Sequence, residues 1–396
     1  SRWLVPADGD PFPAELIAVD DQWNITVQRG ASETGAPRPD AAPPAGATQV
    51  IAARDLAWWG SPVEPVARRG VTPTDRAWVL IAGGGLLVAD VLAIKNDQLQ
   101  LGSLTFGEFN LPRGAVQAVL FRPPSDPESR DQWLAKLGAA STTDALYVSN
   151  GDEFRGRIVG LDKKGVTFQS GGLTLPAVPA DRVSALVLAS ADVRPAARTG
   201  ITAWLGFTDG SRLLAERLTV EQGRLSAQVA GQAFQSRLAR LCWIQPLGGR
   251  ATYLSDLQPA GYRHVPYLST DWNFQNDANV LARPLRVAGQ SFAKGLGLHS
   301  RSRLTYALGA GYQRFQAEVA LDDAAGLQGS AVCYVFADRE LVYRSPTLRA
   351  GEKPQTVDVP LGEAQSLTLV VDFAEYGPID DYVDVLNARL IAAPAK

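Results

Sequence analysis

Short alternating apolar runs separated by glycine turns recur along the first 250 residues, and this pattern constrains the fold more than any other feature. The clearest copy runs from Ala145 to Leu188, where the dipeptides Asn150-Gly151 and Gly171-Gly172 separate runs of alternating apolar and polar residues. Such dipeptides favour tight hairpin turns because their central residues readily take positive φ. The sequence therefore predicts an all-β chain built from antiparallel hairpins.

We divide this part of the chain into four small antiparallel meander units, at residues 1–70, 71–140, 141–195 and 196–250. A unit of four or five strands exposes its edges and buries little apolar surface, so the units are expected to stack or pair with one another. By analogy, small SH3-like or Sm-like barrels are the favoured arrangement. Four blades of a propeller are the alternative.

Two stretches depart from the strand pattern. Residues 125–137 offer an N-cap residue, an early proline and acid, and a later lysine, which together predict a short helix in the second unit. Residues 30–46 are crowded with Ala, Pro and Gly and lack apolar periodicity. An irregular loop or a disordered insertion is expected there.

Charge and hydropathy argue against two classes of partner. The chain has 38 Lys and Arg residues against 41 Asp and Glu residues, so nucleic acid is not an expected partner. The longest apolar run, residues 78–89, is short and contains three glycines, so no transmembrane segment is expected. The sequence starts at Ser1 and contains no methionine, which suggests that a leader was removed. We expect a secreted, periplasmic or cell-surface protein.

The C-terminal third has a different signature. The run Lys294-Gly-Leu-Gly-Leu-His299 carries glycines where a side chain would collide with a neighbouring backbone. Tyr253–Leu257 precedes this run, and Phe315–Asp323, Gly329–Val335 and Asp381–Leu390 follow it. In this order, the five pieces resemble the NPCBM family of carbohydrate-binding modules, which are found beside bacterial glycoside hydrolases.

The resemblance spans residues 252–391 and implies a jelly-roll β-sandwich, which we place at residues 251–396. It also implies that this domain recognises carbohydrate. The sequence departs from the family pattern at one position of the terminal motif, where Val385 stands in place of the usual Trp.

A sugar site needs an aromatic face for the apolar side of the ring and planar polar groups for its hydroxyls. The candidate aromatic faces are Tyr267, Trp272, Tyr376 and Tyr382, and the polar candidates are His299, Arg301, Asp380, Asp381 and Asn387. We expect three loops to bring them together at one end of the sandwich, because strands facing a core cannot supply converging polar groups. The alternatives are local packing for Trp272 and structural hydrogen bonding for His299.

Catalysis finds little support in the sequence. The two histidines, His264 and His299, have no third partner at metal spacing, which argues against zinc. Ser300 lacks the Gly-x-Ser-x-Gly context of an esterase nucleophile. Clustered aspartates leave calcium near Asp380 and Asp384 open as a ligand, and no other cofactor is expected.

The favoured hypothesis is a non-catalytic carbohydrate-binding protein. In it the C-terminal sandwich recognises a glycan or glycoprotein, and the N-terminal β units act as a spacer or docking surface. The alternative is a structural subunit of a bacterial cell-envelope or extracellular assembly, in which the same sandwich mediates contacts with other protein subunits.

Overall fold

The computed structural model describes residues 2–9, 11–30, 46–60, 76–83, 85–139, 141–174, 176–189, 200–267, 271–309 and 311–393. These residues are almost entirely strand and turn, so the all-β prediction is confirmed. The expected insertion lies outside the described residues, apart from its ends Gly30 and Gly46. The chain forms two compact units, Ser1–Gly248 and Gly249–Lys396, and each is described by itself.

The N-terminal unit is built from short antiparallel strands. Its strands are β1 Trp3–Pro6, β2 Phe12–Val19, β3 Asn24–Arg29, β4 Thr48–Ala52, β5 Leu56–Gly60, β6 Trp78–Ile81, β7 Gly85–Val88, β8 Asp90–Lys95, β9 Gln98–Ser103, β10 Gly107–Pro112, β11 Val116–Leu120, β12 Asp144–Val148, β13 Glu153–Asp162, β14 Gly165–Ser170, β15 Leu173–Thr174, β16 Val183–Val187, β17 Thr202–Phe207, β18 Arg212–Ala215, β19 Arg217–Glu221, β20 Arg224–Val229, β21 Gln232–Arg237 and β22 Leu241–Leu247.

One order of strand pairing recurs along this unit. In four successive segments the first strand pairs with the last: β1 with β5, β6 with β11, β12 with β16 and β17 with β22. A single 3-10 turn precedes the last strand of each segment. Pairing the first strand with the last curls a meander towards a small barrel, which is the arrangement that the SH3-like analogy predicts.

Strands of different segments also pair with one another. The last strands meet in two pairs, β5 with β22 and β11 with β16. Shorter contacts join β2 to β19, β7 to β18 and β8 to β13, and one apolar core runs from Leu4 to Ile244. Because these pairings merge the segments into one compact unit, the division at residues 70, 140 and 195 stays a prediction.

A helix, α1 Pro127–Leu137, lies where the sequence predicts one, and it is the one α-helix among the described residues. The Asp126 carboxylate caps it by accepting a hydrogen bond from Ser129 N at 2.8 Å, and proline occupies the first turn, where its missing N–H costs nothing. Trp133 of α1 packs edge-on against Tyr147 at 5.7 Å between ring centroids. No helix in the described part of the chain is long and apolar enough to cross a membrane.

The C-terminal unit consists mainly of two antiparallel sheets. Its strands are β23 Ala251–Tyr253, β24 Gly261–His264, β25 Gln275–Asn276, β26 Leu285–Val287, β27 Gln290–Phe292, β28 Gly295–His299, β29 Ser302–Ala307, β30 Tyr312–Leu321, β31 Ser330–Ala337, β32 Glu340–Arg344, β33 Leu348–Arg349, β34 Gln355–Pro360, β35 Ser366–Phe373 and β36 Tyr382–Ala392. The first sheet has the order β25-β28-β36-β30-β34, and the second has the order β24-β29-β35-β31-β32.

The inner faces of the two sheets share one apolar core, so the unit is a β-sandwich. The chain changes sheet at each step from β28 to β31 and again from β34 to β36, as expected for a jelly roll. Val385 is completely buried in this core, where it pairs across β36 with Leu296 and Val319. The departure from the family pattern at this position therefore changes core packing and leaves the sandwich surface untouched.

Two glycines of β28 allow neighbouring backbone to approach closely. A Cβ at Gly297 would lie 2.3 Å from the carbonyl carbon of Asn279 and 2.4 Å from the amide nitrogen of Val280, and a Cβ at Gly295 would lie 2.9 Å from the carbonyl oxygen of Val385. Real Cβ atoms do not tolerate such distances to backbone. The sequence-based explanation for the glycine run is thus correct at both positions.

We predict that Gly297→Ala lowers the free energy of unfolding by about 1–3 kcal/mol, because the added methyl forces the backbone at residues 278–280 away from β28. Differential scanning calorimetry of the whole chain measures the loss. Gly309→Ala is the matched control, since a Cβ there meets nothing within 4 Å. Equal melting temperatures for the two variants would contradict the close approach at Gly297.

Candidate functional site

A buried lysine fixes the loop that leads to the candidate site. Lys294 is only 2% exposed, and its Nζ donates hydrogen bonds to Asp256 Oδ1 at 2.8 Å and to Asp277 Oδ2 at 2.7 Å. The other oxygen of Asp277 accepts from Gly295 N at 3.2 Å. A buried ammonium needs such carboxylate partners, and here they tie the segment 271–279 to the start of β28.

Three aromatic rings predicted as site residues meet at the far end of β28. The indole of Trp272 stacks on the imidazole of His299, with ring centroids 4.8 Å apart and an interplanar angle of 3°. Tyr382 lies opposite His299 on β36, and its ring centroid is 5.9 Å from Trp272 and 6.0 Å from His299. His264 of β24 meets His299 edge-on at 5.7 Å. We name these four residues the His299 cluster.

Hydrogen bonds hold Trp272 in place from behind. The Tyr262 hydroxyl donates to the Trp272 carbonyl oxygen at 2.5 Å. Nδ1 of His264 lies 2.9 Å from Asp271 Oδ1 and 3.2 Å from Trp272 N, so it either donates to the carboxylate or accepts from the amide. These hydrogen bonds hold the Trp272 backbone and the side chain of Asp271. They leave the half-buried indole of Trp272 free to contact a ligand.

His299 is neutral at physiological pH. It is 5% exposed, and burial lowers the pKa of its imidazole, with a further lowering from His264. Nδ1 lies 3.3 Å from the Ser300 carbonyl oxygen, which can only accept. This geometry favours the proton on Nδ1 and leaves Nε2 as an acceptor. His299 therefore supports Trp272 as an uncharged aromatic ring.

Asp380 borders the His299 cluster, whereas Asp381 does not reach the surface. The Asp380 carboxylate neighbours the Tyr382 hydroxyl, and burial together with this carboxylate raises the pKa of Tyr382. Asp381 is completely buried, and its Oδ1 accepts from Ser330 N at 2.8 Å. Asp381 thus supports the loop that carries Asp380 and does not contact a ligand at the surface.

The remaining predicted site residues lie outside the His299 cluster. Tyr267 and Tyr376 are each 68% exposed, and no ring contact among the described residues joins either of them to the cluster. The half-buried Arg301 sits at the turn after β28, where its carbonyl oxygen accepts from Val265 N. Asn387 lies on β36 and donates through Nδ2 to Glu318 Oε2 at 3.3 Å. Sugar contact by these four residues stays a prediction.

The carboxylates proposed for calcium do not form a suitable donor set. Asp384 is completely buried, and burial with the nearby Asp322 carboxylate raises its pKa well above the usual range, so it favours the neutral form. Asp380 neighbours Tyr382. The described part of the chain contains no group of three or more His, Cys, Asp or Glu side chains placed to hold a metal ion. Calcium near Asp380 and Asp384 gains no support from this geometry.

Sequence reasoning missed the residues that orient Trp272. The pairing of β24 with β29, in which His264 lies opposite Ser302, places Tyr262 and His264 beside residues 271 and 272. The two strands are separated by about 40 residues of chain, so their register was not visible in the sequence. A polar alternation from Tyr262 to His264 was the only available signal.

We predict that Asp381 makes stability depend on pH. Burial raises the pKa of its carboxyl to about 6, so the folded state binds this proton more tightly than the unfolded state. The stabilisation is complete below the ordinary pKa of about 3.8 and is lost as the pH rises to about 6. The melting temperature of Asp381→Asn relative to the unsubstituted protein should therefore rise between pH 4 and pH 6 and stay level above.

Glu363→Gln, which removes an exposed carboxyl, is the control variant and is measured over the same pH range. A difference for Asp381→Asn that is constant from pH 4 to pH 6, or that falls, would show that Asp381 is ionised in the folded protein.

Comparison with known proteins identifies the C-terminal unit. Residues 250–391 match the model of the NPCBM/NEW2 domain. The chain is 31% identical over 144 residues to a Renibacterium salmoninarum protein named "Putative endo-alpha-N-acetylgalactosaminidase"; the match covers 36% of this chain and 10% of that protein. The chain thus spans about a tenth of the length of this curated relative.

Solved structures of CBM51 modules are also similar. One is the CBM51 from Clostridium perfringens GH95 in complex with methyl-galactose, with 27% identity, a TM-score of 0.32 and coverage of 35% of this chain and 99% of that chain. Another contains CBM51-2 in complex with GlcNAc and the INT domains of Clostridium perfringens ZmpB, with 22% identity, a TM-score of 0.33 and coverage of 51% and 45%.

The matched residues are those of the sandwich, and the predicted motif order falls inside them. The glycine run of β28, the buried Val385 strand and the turn at His299 all lie between residues 250 and 391. Residues 250–391 of this chain are therefore an NPCBM/NEW2 domain.

Proposed function

We propose that this protein binds glycans without catalysing a reaction on them, and that the His299 cluster of the C-terminal sandwich is the binding site. The observation that carries the proposal is the parallel stack of Trp272 on the neutral His299. The half-buried indole is fixed on one face by this stack. A fixed aromatic surface binds the apolar side of a sugar ring at little entropic cost.

Polar groups around the indole suit the hydroxyls of a sugar. The exposed carboxylate of Asp271 and the carboxylate of Asp380 accept hydrogen bonds, and the Tyr382 hydroxyl both donates and accepts. The buried ring of His264 lies behind Asp271 and holds its carboxylate in place. One aromatic face with several polar groups at its rim is the composition that a modest lectin-like site requires.

We take the class of glycan to be tested from the name of the matched relative. Its printed name refers to N-acetylgalactosamine, so we propose galactose-type and N-acetylamino sugars as the first ligands to test. The N-terminal unit would serve as a spacer or docking surface, and a glycan-binding role places the protein outside the cytoplasm, as a secreted, periplasmic or cell-surface protein.

The alternative is a structural subunit of an extracellular or cell-envelope assembly, in which the sandwich binds protein. Val385 gives no support to this alternative, because its side chain lies in the core and not at a binding surface. The two functions are separated by the following experiment.

We predict that Trp272→Ala weakens the affinity for the best glycan by about 1–3 kcal/mol, or roughly fivefold to 150-fold, by analogy with the loss of one stacked base on an aromatic side chain. Isothermal titration calorimetry of the whole chain with galactose, N-acetylgalactosamine, N-acetylglucosamine and fucose ligands measures this change. Phe154→Ala is the control, because it removes a surface ring (40% exposed) from β13 of the N-terminal unit.

Trp272→Ala also removes the stack on His299, so circular dichroism must first show that the variant is folded. A folded Trp272→Ala protein with unchanged affinity would exclude the His299 cluster as the site. If the unsubstituted protein gives no heat with any of these sugars, glycan binding is rejected and the assembly-subunit function is adopted.

A further inference from the structure

The outer face of the second sheet carries a row of arginines and aromatic residues. The strand register places Arg263 opposite Arg303, Arg303 opposite Val370, and Val370 opposite Tyr334. Tyr334 in turn lies opposite Arg344 on β32. Directly opposed residues project from the same face of a sheet. Since the residues next to them in sequence are in the core, this row faces outwards.

A groove of about 410 Å³ lies along this row. It is lined by Arg303, Tyr334, Phe336, Asp338, Arg339 and Val370. Its volume falls within the range of small-molecule sites. The groove shares no lining residue with the His299 cluster. We name it the sheet groove.

The sheet groove has an excess of positive charge. Among the described residues, no ion pair or hydrogen bond engages the side chains of Arg303 or Arg339. The one carboxylate in the lining, Asp338, is already occupied, since its Oδ1 accepts from Gln365 N at 3.0 Å and from Ser366 N at 2.8 Å.

Two other arginines of the sandwich are paired. Arg314 binds Asp358 at 2.7 Å, and Arg349 binds Glu375 at 2.8 Å. The guanidinium groups of Arg303 and Arg339 differ from these two in having no such carboxylate among the described residues. They are exposed at a concave surface where an anion can reach them.

We propose that the sheet groove is a second glycan subsite, specific for a sugar unit that carries a carboxylate or a sulfate group. Guanidinium groups bind both kinds of oxyanion through paired, charge-assisted hydrogen bonds. Tyr334 and Phe336 supply apolar surface for the ring that bears the anion. The inference takes from the proposed function only that the ligand is a saccharide; it assigns a different site.

Calorimetry of the whole chain with lactose, sialyllactose and 6′-sulfated lactose at constant ionic strength tests the inference. We expect at least one anionic ligand to bind about tenfold more tightly than lactose, which is the contribution of one charge-assisted hydrogen bond. Arg303→Gln and Arg339→Gln should each remove this advantage and leave lactose affinity unchanged. Arg349→Gln, whose arginine already pairs with Glu375, should keep it.

Each outcome decides the inference. Equal affinity for lactose and both anionic ligands, an advantage that survives both arginine substitutions, or no binding of any of the three sugars would overturn it. Loss of the advantage in Trp272→Ala but not in Arg303→Gln would also overturn it and would place the anion at the His299 cluster. Binding of the anionic ligands alone, removed by Arg303→Gln, would support the sheet groove while the proposed lactose site at Trp272 failed.

The same series of titrations shows whether the recognised anion is a carboxylate or a sulfate. Preference for sialyllactose identifies a carboxylate as the recognised group, and preference for sulfated lactose identifies a sulfate. Free inorganic sulfate is titrated as the third arm. If free sulfate binds the sheet groove as tightly as the anionic sugars do and displaces them, the sugar ring contributes no affinity. The groove is then an anion site and not a glycan subsite.

Discussion

The close approach of the segment 276–280 to β28 is the contact on which the candidate site depends. Gly297 permits it, since any side chain there would occupy the position of the Asn279 backbone. Lys294 secures it through carboxylates on both sides, Asp256 and Asp277. With the segment held in this way, Trp272 reaches the end of β28 and stacks on His299. The missing side chain at Gly297 and the ion pairs of Lys294 thus position the Trp272 ring, which would bind a ligand.

The electrostatics of the site follow from burial. Desolvation keeps His299 neutral and raises the pKa of Tyr382, Asp381 and Asp384 above their ordinary values. At the surface of the site, the carboxylates of Asp271 and Asp380 accept hydrogen bonds and repel anions, so the site suits a neutral polyol better than an anion. The sheet groove has the opposite character, with exposed guanidinium groups that have no carboxylate partner among the described residues. The two surfaces of one sandwich therefore differ in the charge of the ligand that each would accept.

The sequence predicted those parts of the fold that depend on local rules. The hairpin turn at Gly171-Gly172, the N-cap at Asp126 and the glycines of β28 each have a local physical cause, and each appears where expected. The sandwich came from the family resemblance that motif order carries, and the match at residues 250–391 confirms this resemblance. What local rules cannot supply is register between distant strands. This is why the pairings that merge the N-terminal segments were not predicted.

The same limit applied to the candidate site. Trp272, His299 and Asp380 were identified as residue types suited to sugar, and the structure brings them together with Tyr382. Asp381 was chosen by the same criterion, yet it points inwards, because adjacent positions around the start of β36 face opposite sides. His264 and Asp271 were missed, since their role follows from the pairing of β24 with β29. Composition thus selected suitable residue types but could not give the orientation of each side chain.

A crystal structure of the whole chain with a bound galactose-type or N-acetylamino sugar would show whether Trp272 holds the ligand. We expect a sugar ring in van der Waals contact with the Trp272 indole and hydroxyls within hydrogen-bond distance of Asp271, Tyr382 or Asp380. A sugar bound elsewhere on the sandwich, with Trp272 untouched, would contradict it.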